Sequence, residues 1–485
     1  MIRKALIPAA GQGMRAYPKT RWIPKPLLEV GGRSLIERNL RILRRELGVE
    51  EAVIIAGHLG DQLREALGDG RQLGLKIQWV DCPEPSIGLA QGMLLAEPRF
   101  DEPFVMMLAD ELYLHGNHGE LTVPERDFLA VCAVRHTPDK RLIEKNYSVQ
   151  IDADRIVDLV EKPSQPTSHW LGCGTYLFSQ QIFDRIREAS PSPRSGKVEL
   201  MEVIGAAARA GAPVHAFLLG GEYINVNSVE DYNTANYLAR SLAFEETRVS
   251  VVVPTYQEEA SIASVVRDFV AHPRVDEVLV VDNSSTDETV ARAADAGARV
   301  EVVERQGYGD TIAWGLDHAA GDLLLVVEAD HSFRAKDVGK LLEYLKDADM
   351  VIGTRTTREM VEQGTNMIGM VRWANVVVGK LIELLWWRSG ARYTDVGCTY
   401  RGIWKDVWLQ MRERMHGVGP EFSPEMMIEV LRARKRVIEV PVSYYPRTGG
   451  ESKHSKSLRH LTRTALRMLR LILSRRLGLD PRPHS

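Results

Sequence analysis

Two apolar stretches of the sequence, Ala5-Leu-Ile-Pro-Ala-Ala-Gly-Gln-Gly13 and Val249-Ser-Val-Val-Val-Pro-Thr-Tyr-Gln-Glu-Glu259, each run directly into a loop. Each stretch opens a series in which short apolar runs alternate with helical patterns, as in an α/β domain. A helical pattern that starts at Ser228 is followed almost at once by the second stretch, so we expect the boundary near residue 245. The sequence therefore predicts two doubly wound, Rossmann-like α/β domains in tandem, 1–245 and 246–455, with sites at the carboxyl ends of their strands.

The composition is that of an ordinary globular protein. Hydrophobic residues make up 44% of the 485 residues and charged residues 26%, which suits two to four domains of roughly 100–200 residues each. Because 62 Lys and Arg face 65 Asp and Glu, there is no overall basic field to recruit nucleic acid. The four cysteines show no C-x-x-C spacing, so neither a zinc ribbon nor a disulfide framework is expected. With no export signal in the pattern, we expect a cytoplasmic protein.

The segment 456–485 differs from the rest of the chain. Arg459, Arg463, Arg467 and Arg470 recur at spacings of four, four and three among apolar residues, which predicts a basic amphipathic helix. Such a helix either packs on a domain with its basic side in solvent or lies on an anionic membrane surface, and the pattern leaves both open. No apolar run reaches the roughly 18–20 residues of a spanning helix. Any membrane contact is therefore expected to be peripheral, on the inner face of the cell membrane.

The loop after the first stretch has the residues of a phosphate-binding site. Gly11 and Gly13 let the backbone approach a phosphate, whose charge the amide groups and a helix N-terminus favour. Arg15 and Lys25 add two cations, and prolines on either side of Lys25 stiffen the loop. Two fixed cations beside such a loop suit attack on the α-phosphorus of a nucleoside triphosphate, because negative charge builds up on the departing pyrophosphate.

The longer pattern, Gly11-x-Gly13-x-Arg15 followed by Pro24-Lys25-Pro26-Leu27, resembles the signature of sugar-1-phosphate nucleotidyltransferases, and the resemblance extends over most of residues 1–240. It implies that Arg15 binds the triphosphate and that Lys25 binds the α-phosphate and the incoming sugar phosphate. The other contacts that it implies are Gly88 and Gln91 with the base, Glu161 and Lys162 with the sugar phosphate, Gly174 with the sugar, and Asp110 with Mg²⁺.

One position departs from that family's pattern. Where its members often have a second metal-binding Asp, this sequence has Asn225 and Asn227. Either amide could take the place of the carboxylate, although a neutral oxygen is a weaker ligand for hard Mg²⁺. We expect the first domain to be active, while slow turnover, altered metal use and inactivity stay open.

Acidic residues follow the predicted strands of the second half. Glu258 and Asp282 come at the ends of two consecutive strands, a position that suits a nucleotide base and ribose. Glu328 and Asp330 stand two residues apart at the end of another strand. Alternate residues of a strand share one side, so these two carboxylates can grip one divalent cation.

These segments resemble family 2 glycosyltransferases of the GT-A fold, particularly dolichyl- or polyprenyl-phosphate mannose synthases, over about residues 248–455. The resemblance implies that Glu328 and Asp330 bind the metal and the diphosphate, with Asp330 and Arg447 acting in catalysis. The donor contacts that it implies are Pro254, Tyr256, Glu258, Asp282, Gly307 and Gly309. The contacts that it implies with an acceptor phosphate are Arg355, Arg401, Arg447, Ser452 and Lys453. Because the family usually has Asp where this chain has Glu328, the choice between Mg²⁺ and Mn²⁺ stays open.

Together the two halves predict a bifunctional, metal-dependent enzyme. The first would make a nucleotide sugar from a nucleoside triphosphate and a sugar 1-phosphate. The second would transfer the sugar from this nucleotide-diphospho-sugar to a phosphate acceptor, polyprenyl phosphate being the favoured one, at a membrane surface. Two alternatives stay open. The second domain could isomerise a nucleotide sugar in the manner of a mutase, or the first could be a weak or inactive nucleotide-binding domain that scaffolds the second.

Overall fold

A computed structural model describes residues 2–16, 19–84, 87–304, 307–362, 370–386, 392–447 and 458–479. The chain divides into two compact units, Met1–Ala239 and Arg240–Ser485. Both are mixed α/β structures, each built on one large sheet.

The first unit contains thirteen strands and seven helices in the part of the chain that the structure describes. The strands are β1 Lys4–Ala9, β2 Glu29–Val30, β3 Arg33–Ser34, β4 Glu51–Ala56, β5 Lys76–Asp81, β6 Phe104–Met107, β7 Glu111–Leu114, β8 Ala130–His136, β9 Tyr147–Asp152, β10 Arg155–Glu161, β11 Trp170–Phe178, β12 Val214–Leu218 and β13 Glu222–Asn225. The helices are α1 Leu35–Arg45, α2 Gly60–Leu67, α3 Leu89–Ala96, α4 Lys140–Lys145, α5 Gln181–Glu188, α6 Leu200–Arg209 and α7 Val229–Ala243.

The second unit, over its described residues, contains seven strands and eight helices. The strands are β14 Val249–Thr255, β15 Glu277–Asp282, β16 Arg299–Val302, β17 Leu323–Val326, β18 Met350–Thr354, β19 Arg401–Trp404 and β20 Val437–Pro441. The helices are α8 Ile262–Val270, α9 Thr289–Asp295, α10 Tyr308–His318, α11 Val338–Leu345, α12 Met370–Leu385, α13 Lys405–Met411, α14 Phe422–Arg432 and α15 Leu458–Leu477.

The two large sheets begin with the same strand order. The first sheet starts β5-β4-β1-β6 and the second β16-β15-β14-β17, and all of these neighbours are parallel. In both, the chain therefore returns past its first strand, and the order reverses between β1 and β6 and between β14 and β17. Such a reversal opens a crevice at the carboxyl ends of the strands. The predicted acids Asp110, in the first unit, and Glu328 and Asp330, in the second, follow strands at this edge.

The parallel strands are apolar runs because they are covered on both faces. Leu6 packs into one apolar cluster of the first unit and Ile7 into another, since neighbouring side chains of a strand point to opposite faces. Val251 and Val252 divide in the same way between two clusters of the second unit.

The remaining strands depart from a purely parallel arrangement. β11 runs antiparallel to both β6 and β8, and β19 runs antiparallel to both β17 and β18. β11 carries Gly172 and Gly174 among its apolar residues, so its sequence lacks the continuous apolar pattern that marks β1 or β14. The prediction of an α/β fold is confirmed, but both sheets are mixed.

Within the described part of the chain, no helix has the length and hydropathy that crossing a bilayer requires.

Candidate active sites

A cavity of about 410 Å³ lies at the carboxyl ends of β1 and β6. Gly11, Gly13, Lys25, Gly88 and Asp110 are among the predicted residues that line it, together with Asn227. At Gly13 the backbone has a φ of +61°, and a Cβ there would lie 3.1 Å from the Cβ of Lys25. Glycine is needed at this position because both the conformation and the space exclude a larger residue.

Lys25 joins the two predicted metal ligands that line this cavity. It stands in a single 3₁₀ turn, Lys25–Leu27, and only 8% of it is exposed. Its ammonium group forms an ion pair with Asp110 and donates a hydrogen bond of 2.9 Å to Oδ1 of Asn227. The loop around Lys25 therefore places a buried cation against one carboxylate and one amide oxygen.

The structure distinguishes between the two candidate asparagines. Asn225 stands opposite Glu111 where β13 pairs with β7, and its Nδ2 donates to Oδ1 of Asn146 at 2.8 Å. Its own Oδ1 is buried without a hydrogen-bond partner among the described residues. Asn227, and not Asn225, is thus brought to Lys25 and Asp110.

Glu111 is a buried acid that the sequence reasoning did not single out. It accepts hydrogen bonds from the hydroxyls of Tyr113 (2.5 Å) and Tyr223 (2.7 Å) and from the amide of Gly174 (2.7 Å). Burial, and secondarily the charge of Asp110, raise the pKa of Glu111 to about 7. A Cβ on Gly174 would lie 2.3 Å from Oε2 of Glu111. Gly174, the predicted sugar-side glycine, is therefore required because only glycine leaves room for the carboxyl group of Glu111. An acidic residue within an otherwise apolar strand is the sequence signal that could have pointed to Glu111.

The predicted sugar-phosphate contact lies at the end of β10. Lys162 adopts a left-handed conformation with φ of 45°, and its Nζ donates to Glu161 at 2.7 Å. A non-glycine residue in this region is strained, a condition that is concentrated at functional sites. Arg194 adds a cation that the sequence reasoning missed, 3.6 Å from Glu161.

Among the predicted residues of the first unit whose side chains the structure describes, Gln91, Glu161, Lys162, Gly174 and Asn225 do not line this cavity. Gln91 lies in the first turn of α3, but it is not among the described residues that line the cavity. The side chain of Arg15 lies outside the described residues.

In the second unit, the strand ends carry three strained residues. Gln257, Ser284 and His331 follow β14, β15 and β17, and all three have φ between 55° and 65°. Their left-handed backbone turns the chain sharply at the edge where a ligand of this fold would lie.

Glu328 and Asp330 form a carboxylate pair, and Arg447 forms ion pairs with both. Each uses one oxygen within the protein: Oε1 of Glu328 accepts from Thr399 at 2.8 Å, and Oδ1 of Asp330 accepts from Ser332 at 2.5 Å. The guanidinium of Arg447 lies 3.5 Å from the other oxygen of Glu328 and 2.9 Å from that of Asp330. Burial and the charge of Asp330 raise the pKa of Glu328. A cation thus already stands between the two carboxylates.

Two of the predicted donor contacts, Gly307 and Gly309, stand on either side of a tyrosine that is connected to this pair. The amide of Gly307 donates to Asn283 at 3.2 Å, and the amide of Gly309 donates to the carbonyl of Val418 at 2.8 Å. Between them, the hydroxyl of Tyr308 contacts Thr399 at 2.9 Å. Because Thr399 also donates to Glu328, the start of α10 is connected to the carboxylate pair.

The acids at the ends of β14 and β15 are already engaged. Asp282 is fully buried and accepts from the amide and the hydroxyl of Ser285, at 2.7 and 2.6 Å. Glu258 accepts from Ser261 at 3.0 Å. Pro254 lies within β14, and Tyr256 follows it with its side chain partly exposed.

The predicted acceptor contacts divide into two kinds. Arg355 donates two hydrogen bonds to Asp395, at 2.8 and 3.0 Å. Burial alone would lower the pKa of Arg355, but the charge of Asp395 outweighs it and raises that pKa. Arg401 is buried and donates to backbone carbonyls, at 2.7 Å to that of Ser423, and also to that of Cys398. The N–H groups of Arg401 therefore donate to backbone carbonyls within the protein and not to the carboxylate pair. Ser452 and Lys453 lie outside the described residues.

Divalent cations are typical of both kinds of enzyme, and the donor atoms suit them. Across the described ranges, no group of three or more His, Cys, Asp and Glu side chains is placed to hold a metal ion. The buried Oε2 of Glu328 and Oδ2 of Asp330 accept no hydrogen bond of regular geometry among the described residues, but both lie at ion-pair distance from Arg447. A divalent cation would therefore share these oxygens with Arg447 or displace it. In the first unit, Asp110 offers a carboxylate beside the amide oxygen of Asn227, and both contact Lys25. One or two carboxylates with substrate phosphates are the usual magnesium ligands. The residues present therefore fit a hard divalent cation that arrives with a nucleotide.

Comparison with known proteins places the two units in families. The nucleotidyl transferase family model matches residues 4–241, and the glycosyl transferase family 2 model matches residues 250–399. An uncharacterised glycosyltransferase of Mycobacterium tuberculosis is 35% identical over 44% of this chain and 91% of its own. The chain joins a nucleotidyl transferase region to a glycosyl transferase family 2 region. It is a transferase enzyme.

Relatives of the nucleotidyl transferase region carry more specific names. A glucose-1-phosphate thymidylyltransferase of Streptomyces griseus is 29% identical over 48% of this chain, which spans 65% of that relative's length. A UTP--glucose-1-phosphate uridylyltransferase of Haloferax volcanii is 29% identical over 48% of this chain and 94% of its own. A solved UDP-glucose pyrophosphorylase with UDP-glucose is 23% identical over 51% of this chain and all of its own, with a TM-score of 0.41.

Proposed function

We propose that the first unit makes a nucleotide sugar and that the second unit transfers its sugar to a phosphate acceptor. The observation that carries this proposal is that each unit places a cation against acidic side chains at the reversal of the same strand order: Lys25 against Asp110, and Arg447 against Glu328 and Asp330. Each site can thus neutralise a phosphate group while a bond to it is exchanged.

In the first unit, an oxygen of the sugar 1-phosphate attacks the α-phosphorus and pyrophosphate departs. Lys25, fixed by Asp110 and Asn227, stabilises the charge that develops around this phosphorus. Gly11 and Gly13 let the backbone approach the phosphates, while Glu161 and Lys162 hold the sugar phosphate. A divalent cation, when bound at Asp110, supplies charge neutralisation to the triphosphate.

In the second unit, an acceptor phosphate oxygen attacks the anomeric carbon and the nucleoside diphosphate departs. The acceptor is already anionic near neutral pH, so the reaction needs no strong general base. Arg447 lies against the carboxylate pair, and we infer that it stabilises the leaving group or the acceptor phosphate. A single displacement inverts the configuration at the anomeric carbon.

Polyprenyl phosphate is the proposed acceptor because the second unit exposes apolar faces. Trp373, Val377 and Leu384 lie on one side of α12 and are 70%, 63% and 67% exposed. Leu466, Leu473 and Leu477 lie on one side of α15 with the exposed Arg470 among them. Leucines interspersed with arginine suit an anionic bilayer surface.

Two assays of the full chain test the activities. Pyrophosphate release is expected from UTP or dTTP with glucose 1-phosphate and Mg²⁺. A radiolabelled nucleotide sugar with undecaprenyl phosphate is expected to give label that extracts into organic solvent. A new isomeric nucleotide sugar, formed from donor and metal alone, would instead support the mutase alternative, and no pyrophosphate release with any triphosphate would leave the first unit as a nucleotide-binding domain.

Flotation with phosphatidylglycerol vesicles tests the membrane surface. The double variant Leu473→Asp/Leu477→Asp is expected to lose binding at least about tenfold, because each charged replacement opposes burial among lipids. Leu142→Asp, at an exposed leucine of the first unit, is the matched control. Equal flotation of all three proteins would contradict the assignment of this face.

A further inference from the structure

One side of the C-terminal helix α15 is buried in its own unit, opposite the exposed leucines. Arg475 is 3% exposed and Ile472 is fully buried. The guanidinium of Arg475 lies 2.5 Å from Glu425 and 3.5 Å from Glu429, and it donates to the carbonyl of Arg414 at 2.9 Å. Both glutamates lie on α14 and are fully buried. Within the described ranges, Arg475 is the cation at ion-pair distance from Glu425.

In addition to its ion pair with Arg475, Glu425 accepts hydrogen bonds from the backbone of a neighbouring loop. Its Oε2 accepts from the amides of His416 and Gly417, at 3.1 and 2.7 Å. The next residue, Val418, accepts the amide of Gly309 at 2.8 Å. A Cβ on Gly309 would lie 1.9 Å from the carbonyl oxygen of Gly417, so this loop lies directly against the start of α10.

These contacts form a continuous chain from α15 to the carboxylate pair. It runs from Arg475 to Glu425, through the 416–418 loop to Gly309, and then through Tyr308 and Thr399 to Glu328. Removing one partner of a buried ion pair leaves an uncompensated charge, which must then be hydrated by local opening. Opening at Glu425 would release the loop that packs on Gly309.

We propose that Arg475 is a positioning residue of the donor site, which makes α15 part of the support for nucleotide binding. This inference rests on the proposed function for the identity of the ligand, but not for the contacts. It also means that deleting the segment after Lys453 would disturb the donor site together with any membrane contact, so such a deletion does not isolate lipid binding.

The test compares Arg475→Met with Arg476→Met, a neighbouring arginine whose side chain is exposed. Both remove one positive charge from the same turn of α15, so only the buried pair distinguishes them. Binding of GDP and of UDP, each with Mn²⁺, is measured by calorimetry without lipid. Hydrogen exchange is measured in peptides that cover 307–311 and 415–419, with β14 and β15 as the internal reference.

Arg475→Met is expected to weaken nucleoside diphosphate binding by about tenfold, which is about 1.4 kcal/mol. Exchange in 307–311 and 415–419 should accelerate while β14 and β15 keep their protection, because the opening is local. Arg476→Met should match the wild type. Unchanged affinity and exchange in folded Arg475→Met, or equal losses in both variants, would overturn the proposal.

Two further outcomes also bear on the proposal. If Arg475→Met does not fold, Arg475→Lys takes its place, since lysine keeps the charge but not the planar fork of donors. It is expected to give smaller changes in the same two peptides, and wild-type exchange there would overturn the proposal. If the wild type binds neither nucleotide, the proposed donor class fails, while the exchange measurement still decides the role of Arg475.

Discussion

The first unit sets Lys25 against one carboxylate and one amide oxygen, whereas the second sets Arg447 against two carboxylates. A lysine ammonium is a compact point charge, while the arginine guanidinium is a planar fork that can face two acceptors at once. The type of cation in each site matches the number of carboxylates that it contacts, one in the first unit and two in the second. One strand order thus supports two proposed phosphate sites whose charges are balanced differently.

The largest expected effect separates the two sites. Lys25→Met should lower pyrophosphate release by about 10²–10³-fold, the usual loss when one group that stabilises a developing charge is removed. Transfer from a supplied nucleotide sugar should be unchanged. Arg447→Met should give the reverse pattern, and the exposed Lys140→Met is the control. A loss of both activities in either variant would break the comparison of independent sites.

Glycine substitutions in the two units sharpen the comparison through their effect on the free energy of unfolding. In Gly309→Ala the new Cβ would lie 1.9 Å from a backbone oxygen, and in Gly174→Ala 2.3 Å from Glu111. Each should cost about 1–3 kcal/mol of unfolding free energy, since a packed neighbour has to move, and Gly309→Ala should cost more because that neighbour is backbone. At Gly11 a Cβ would meet no atom within 4 Å. Gly11→Ala should therefore keep its melting temperature but lower nucleotidyl transfer, because the methyl group enters the first cavity.

Acid should weaken the first unit through His118. This side chain is fully buried, and burial lowers its pKa from 6.5 to about 4. Between these values the unfolded chain binds a proton that the folded unit does not, so stability is complete above pH 6.5 and falls as the pH drops towards 4. The loss is at most about 3 kcal/mol. Glu111 acts in the opposite direction, because its raised pKa of about 7 makes the folded unit bind a proton over the same range. The test is therefore the difference between proteins: in urea unfolding, His118→Asn should lose less stability than the wild type between pH 6.5 and 4, whereas His169→Asn, at an exposed position, should match the wild type.

The smallest effect concerns the two asparagines. Asn227→Asp adds a carboxylate beside Asp110 and Lys25, so it should raise the apparent affinity for Mg²⁺ in the first reaction by about tenfold. Asn225→Asp should not, because it places a second acid opposite the buried Glu111 and away from Lys25; it should lower stability instead. Mg²⁺ titrations of pyrophosphate release and thermal unfolding measure both. Higher affinity in Asn225→Asp alone would reverse the assignment.

Much of the architecture followed from local patterns. The apolar runs of β1 and β14 are long, and the polar residues after them come to the expected edges of the sheets. The antiparallel β11 and β19 were not predicted, because strand direction depends on long-range pairing that a short apolar run does not encode. The amide at Asn227 likewise could not be separated from that at Asn225, since residues two apart face the same side of a continuing strand. They are separated in the structure because β13 ends at Asn225.

Residues whose roles arise from tertiary burial were harder to find. Glu111 and Arg475 each stand in an amphipathic or apolar segment, and their partners are distant in sequence. The signal for Arg475 was on the other helix: Glu425 and Glu429, four residues apart in a largely apolar α14, need a buried cation. For Arg401, a basic residue in a family-like motif, the expected contact with a phosphate stays a prediction, and in the structure its guanidinium donates to backbone carbonyls.

Lys25 and Asn227 meet across 202 intervening steps of the chain. A growing polypeptide emerging from the ribosome cannot close the first site until nearly the whole first unit has been synthesised, and the second site must wait for Arg447. Because domains fold in turn from the N-terminus during translation, the nucleotidyl transferase pocket is complete while the glycosyl transferase part is still being made. The order of synthesis is then the same as the proposed order of chemistry.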